Sequence, residues 1–169
     1  KEKTKRTQMI PVYKGQTYQI RIDRLGMSGE GVGRYENFTV FIPNALPGET
    51  VSAVIEEVKS SYARGRIKQI LYESADRVAP LCGLYKECGG CQLQHLSYKA
   101  QLQAKRTQVV DALTHIGKLP HILVKETLRA EEPWNYRNKM QFPVGTHKGQ
   151  VVIGCFAQGS HKIIDTQNC

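Results

Sequence analysis

No stretch of the 169 residues approaches the roughly 18 consecutive apolar residues that a membrane-spanning helix needs. The basic segment at residues 1–7 is not followed by an apolar stretch of about 7 to 15 residues, so no secretory signal is expected and a cytoplasmic location is. Internal repeats and low-complexity tracts are lacking. Glycines 29, 31 and 33 lie between runs that read as strands instead of opening a helix, which excludes a nucleotide-cradling loop there. Acidic residues are few: 15 Asp and Glu stand against 24 Lys and Arg, a formal net charge of +9 and a sequence pI near 9.4. The surplus is spread over both halves, 13 basic against 9 acidic residues in 1–80 and 11 against 6 in 81–169. Such a distribution suggests a polyanionic partner, whose phosphates release condensed counterions when neutralised.

What is present reads as two small domains in a soluble chain that is 40% apolar with mean hydropathy −0.42. Residues 16–71 hold short β-branched and aromatic runs broken by glycine or proline, the pattern of a small all-β barrel. The expected strands are 16–25, with Tyr18, Ile20 and Ile22 alternating, then 39–42, 50–58 and 63–72. A glycine-rich turn is expected at 26–33 and another at Pro47-Gly48. Four or five strands in so short a span fit an OB-like barrel at 9–72, a fold that often binds single-stranded nucleic acid.

A polar linker at 73–80 separates the barrel from an α+β unit at 81–169. There Ser97 is placed to cap a helix whose stripe is Leu102, Val109, Leu113 and Ile116, with Gly117 as its stop before Pro120. Further strands are expected at 122–128, 139–144, 150–156 and 162–164, separated by turns that include 145–149.

Five cysteines in a reducing compartment are read for metal ligation before disulfides. Cys82, Cys88 and Cys91 have five and then two intervening residues, and Gly89-Gly90 leaves the backbone bare enough to approach bound sulfurs. A fourth ligand could be Cys169, Cys155 or His95. Cys155 sits in an alternating strand, where a small apolar residue is ordinary. Cys169 follows a polar stretch, and His95 would give a three-cysteine, one-histidine zinc site. Three clustered ligands with a distant fourth are commoner for a cubane iron–sulfur cluster.

The string Cys82-x5-Cys88-Gly89-Gly90-Cys91, followed by Gln92-Leu93-Gln94-His95 and Tyr98, closely resembles the RNA 5-methyluridine methyltransferases that act on bacterial 23S ribosomal RNA. Trp134-Asn135-Tyr136-Arg137-Asn138-Lys139, Gly154-Cys155-Phe156 and Ser160-His161-x-Ile163-Ile164-Asp165 followed by Cys169 continue the resemblance, and the first seventy residues look like that family's TRAM barrel. The resemblance implies a 4Fe-4S cluster on Cys82, Cys88, Cys91 and Cys169, with Cys155 at a non-ligand position. It also implies methyl transfer from S-adenosylmethionine by a C-terminal Rossmann-like domain, which supplies a cysteine nucleophile for uracil C6 and an acidic base for the C5 proton. No such domain is found in these residues, so the chain is expected to be an N-terminal portion, monomeric, that binds RNA without methylating it.

Reaching C5 and C6 of a uracil requires taking it out of its stack while basic and aromatic surfaces hold the rest of the RNA. On the barrel Arg24, Arg34, Lys59, Tyr62, Arg64, Arg66 and Lys68 are candidates, the alternating Arg64, Arg66 and Lys68 sharing one strand face suited to phosphates. In the second unit the resemblance points to Arg137, Lys139, Gln141 and Phe142, with Lys148 and His161 weaker. Lys99, Lys105 and Arg106 read as a solvated helix face. A stand-alone RNA-binding module with a structural metal is the main alternative, and a ferredoxin-like carrier fits the positive charge poorly.

Overall fold

The computed structural model describes residues 10–166 and residue 169, so the expected barrel start at residue 9 lies outside the described residues. Two compact units divide between Ala75 and Asp76.

The first unit is a closed five-stranded barrel ordered β1-β2-β3-β5-β4. Its strands are β1 (Thr17–Leu25), β2 (Gly31–Tyr35), β3 (Phe38–Ile42), β4 (Thr50–Val58) and β5 (Tyr62–Tyr72). Alternation decides which side chains go inward: Ile20 and Ile22 on β1, Val51, Ala53 and Ile55 on β4 and Ala63 on β5 are buried with Val12, Phe38, Val40, Ile42 and Ala45 in one core. Adjacent strands pair antiparallel except β3 with β5, which close the barrel in parallel through Thr39↔Tyr62 and Phe41↔Arg64. On β5, Ile70 packs against the core while Leu71 points to solvent.

The glycine-rich turn expected at 26–33 is shorter than that, because Gly31 and Gly33 belong to β2. A β-carbon on Gly33 would collide with the Arg21 carbonyl, and one on Gly31 would lie 2.7 Å from the Ala45 carbonyl oxygen. These glycines allow backbones to approach closely within the barrel instead of supplying a turn. The reversal into β3 falls at Glu36-Asn37, both at positive φ (46° and 66°), as a two-residue hairpin with the twist of its strands requires.

The second unit contains α1 (Tyr98–Asp111) and a three-stranded antiparallel sheet of β6 (Val144–His147), β7 (Gln150–Phe156) and β8 (Ile163–Asp165). Ser97 caps α1 as expected, its Oγ accepting from the Ala100 N–H at 3.3 Å and donating to Asp76 at 2.9 Å. The helical run stops at Gly117 as expected, but its last five residues (Ala112–Ile116) form a π turn after α1, and Lys118 takes the left-handed φ of 56°. The apolar stripe is not a buried face, since Val109 and Ile116 are exposed.

Two expected strands are absent. Residues 122–128 run alongside α1, held by Arg106 Nε donating to the Val124 carbonyl (3.0 Å) and Thr127 Oγ1 donating to the Leu102 carbonyl (2.9 Å), with no strand ladder. Residues 139–143 are irregular, and pairing begins only at Val144, so 145–147 belong to β6 instead of to a turn. The β6–β7 reversal is the two-residue Lys148-Gly149, at φ 51° and 79°.

Candidate functional site

The cysteine loop is built from short turns. Cys82 and Leu84 carbonyls accept from the Tyr85 and Cys88 N–H groups at 3.1 and 2.8 Å, and Gln94 Oε1 accepts from the Cys82 N–H at 3.2 Å. The Tyr85 hydroxyl donates to the Gln92 carbonyl at 2.7 Å and also meets Nδ1 of the buried His95. A hydroxyl has one proton, so with that proton on Gln92 the contact requires His95 Nδ1–H to donate to Tyr85. That nitrogen therefore braces the loop. Burial, partly offset by the backbone groups of His95 and Gln94, pushes the Tyr85 phenol above its ordinary value.

The loop is stitched to the end of β7. Gly89 N–H donates to the Phe156 carbonyl at 2.8 Å, and Cys88 forms a lone antiparallel bridge with Ala157. Only glycine fits at 89, where a β-carbon would meet that carbonyl at 2.9 Å. Cys88 Sγ accepts from the Gly90 N–H at 3.4 Å. The Cys155 thiol lies beside Cys88, both sulfurs approaching Gly90, and within electrostatic range of Cys91 and Cys169. Burial first, and then these sulfurs, push its thiol above the usual value.

The Arg137 guanidinium lies 3.5 Å from Met140 Sδ, and the neighbouring Tyr136 first, then Cys91 and Cys169, hold its charge more firmly. The structure thus places Cys155 beside Cys88, with Cys91, Cys169 and the Arg137 guanidinium in electrostatic range, and Cys82 is not among these neighbours. Among the described residues no group of three or more His, Cys, Asp and Glu side chains is arranged to hold a single metal ion. A cubane cluster asks for a wider spacing, since its four thiolates bind four different irons and stand farther apart than those around one zinc. Backbone N–H donation to a cysteine sulfur and a nearby guanidinium suit an anionic iron–sulfur centre.

Beside the loop opens a cleft of about 780 Å³. Arg137, Lys139, Gln141 and Phe142, four residues singled out from the sequence, line it with Met140, Pro143, Gly89, Gly90, Cys155 and Phe156. The sequence could not show that Cys155 and Phe156 would share this cleft, because the pairing of residues 88–89 with 156–157 is long-range.

On the barrel Arg24, Arg34, Lys59, Arg64, Arg66 and Lys68 are all exposed, and the last three alternate with Ala63, Gly65 and Ile67, so they share the outer face of β5. Arg66 pairs with Glu56 at 3.0 Å and Lys59 with Glu57 at 2.6 Å. The Arg64 guanidinium sits 5.9 Å from the Tyr62 ring centre, and Tyr62 meets Phe41 edge to face at 5.4 Å. Phe41 went unnoticed in the sequence because an apolar β3 reads as wholly inward. Its partial exposure follows from alternation with the buried Val40 and Ile42.

None of the described helices is long and apolar enough to cross a membrane. Residues 11–68 match the TRAM domain family. The chain is 47% identical over 163 residues to an uncharacterised RNA methyltransferase of Clostridium acetobutylicum, covering 95% of this chain and 35% of that protein. A second such protein, from Clostridium tetani, is 48% identical over 160 residues with the same coverage, and one from Halalkalibacterium halodurans is 43% identical over 162. A solved conserved protein of Methanococcus maripaludis is 31% identical over 36% of this chain and 87% of its own, with a TM-score of 0.35. Residues 11–68 belong to the TRAM domain family, and the chain as a whole is similar to proteins that carry the name RNA methyltransferase, about a third of whose length it spans.

Proposed function

We propose that the chain is the RNA-binding and iron–sulfur portion of an S-adenosylmethionine-dependent enzyme that converts uridine to 5-methyluridine in 23S ribosomal RNA. The observation that carries this reading is the cleft in which Arg137, Lys139, Gln141 and Phe142 face the glycine–cysteine loop, in a chain that also bears a TRAM barrel. Two cations, an amide side chain and a ring at the edge of one cleft are the groups needed to hold phosphates and present a base. Cys82, Cys88, Cys91 and Cys169 hold the 4Fe-4S cluster on this reading. Methyl transfer to carbon requires no electron from it, so its part is to fix the loop that forms one wall of the cleft. The residues that attack C6 and bind the methyl donor belong, on this reading, to the part of the relatives that this chain does not span.

The test is made on the organism. Deleting the gene that encodes this chain should remove 5-methyluridine from one or more sites of 23S ribosomal RNA, detected by mass spectrometry of nuclease fragments, and restoring the gene should return it. A deletion strain with unchanged 5-methyluridine in all its ribosomal RNA would refute the reading.

A further inference from the structure

Cys155 has no part in the cluster as assigned above, yet the fold sets its thiol against a cluster cysteine. The bond from Gly89 N–H to the Phe156 carbonyl and the bridge from Cys88 to Ala157 lay the cysteine loop antiparallel to the end of β7. Alternation along that segment puts residues 155 and 157 on the same side as residue 88. A β-carbon on Gly90 would lie 3.4 Å from Cys88 Sγ and 3.6 Å from Cys155 Sγ, so both sulfurs converge on the bare face of this glycine. Cys88 Sγ already accepts the Gly90 N–H there.

We propose that Cys155 is a positioning residue for the iron–sulfur cluster: its S–H donates a second hydrogen bond to the Cys88 sulfur, beside that of Gly90, and tunes the cluster without ligating it. The inference rests on the cluster reading given above. A cysteine sulfur bound to iron carries excess electron density, and donors to it stabilise the reduced, more negative cluster, which raises the reduction potential. Two donors converge on Cys88.

The experiment compares wild type, Cys155→Ser and Cys155→Ala, each reconstituted anaerobically with iron and sulfide, by iron content and reduction potential. Equal iron in all three is expected, with the potential of Cys155→Ala shifted negative and that of Cys155→Ser, which keeps a donor, at or above wild type. Loss of iron in both variants would make Cys155 a ligand and overturn the positioning role, as would an unmoved potential in Cys155→Ala. A second arm needs no cluster: dibromobimane bridges neighbouring thiols by forming two C–S bonds as two bromides and two protons leave. The metal-free chain should yield a Cys88–Cys155 bridged peptide, and bridging of Cys88 to Cys91 alone would overturn the contact. A chain that gives the 88–155 bridge but never takes up iron removes the cluster reading, and the tuning role with it, while leaving the thiol contact standing.

Discussion

Glu49 is fully buried, and its carboxylate accepts from the Leu46 N–H at 2.8 Å and the Ser74 N–H at 3.4 Å, so it closes the turn before β4 and ties down the end of β5. Glu49→Ala leaves those donors without their acceptor and should cost about 1–3 kcal/mol, the usual penalty for a buried group deprived of its partner. A urea denaturation midpoint within error of wild type would show that water replaces the carboxylate. The sequence did not reveal Glu49, because an acidic residue after Pro47-Gly48 reads as exposed turn and its burial depends on contacts 25 residues away. The cysteines were more legible, since close spacing is itself a local signal. Cys169→Ser should lose the cluster, measured as iron per chain, while Cys155→Ser should keep it. The opposite result would move the fourth ligand onto β7.

Each strand of the barrel announces itself through alternation, and the capped start of α1 through Ser97, because both are local patterns with a fixed period. Glycine was ambiguous: at 31 and 33 it marks close backbone approach inside a strand, and from composition alone that looks the same as a turn. The distinction can be tested. Gly33→Ala forces a β-carbon into the Arg21 backbone and the Ile20 side chain, and should destabilise the barrel by about 1–3 kcal/mol or more, as overpacking does. Gly83→Ala, which meets nothing within 4 Å, is the control and should leave thermal unfolding unmoved. Equal melting temperatures for the two variants would show that β1 and β2 can part without cost. Strand propensity at 122–128 failed for a different reason: β-branched residues favour an extended backbone, but the segment bonds to α1 instead of to a strand, Arg106 donating to the Val124 carbonyl and the Thr127 hydroxyl to the Leu102 carbonyl.

At the scale of the molecule the positive charge is divided between two surfaces of different chemistry. The outer face of β5 carries Arg64, Arg66 and Lys68 on regular strand spacing, while the cleft of the second unit combines Arg137 and Lys139 with Gln141 and Phe142. A row of cations tracks phosphates and reads no sequence, whereas an amide, a ring and cations at a cleft edge can discriminate a base. Replacing the three β5 cations with alanine should therefore weaken cognate and scrambled RNA alike, and shallow the salt dependence by about 0.7 to 0.9 for each phosphate that is no longer neutralised. The contributions should be unequal. Arg66 is already paired with Glu56, so Arg66→Ala should cost less than Arg64→Ala, and Glu56→Ala, which releases Arg66, should tighten binding and steepen the salt slope. Changing Arg137, Lys139 or Gln141 should instead penalise the cognate hairpin more than the scramble, by roughly 1–3 kcal/mol for a good bidentate interaction if the magnitude for DNA carries over. Salt titrations of both sets of variants on both RNAs separate the roles. A triple β5 variant with unchanged affinity and slope would reduce that face to a solvated surface, and a cleft variant that weakens both RNAs equally would make the second unit another phosphate grip.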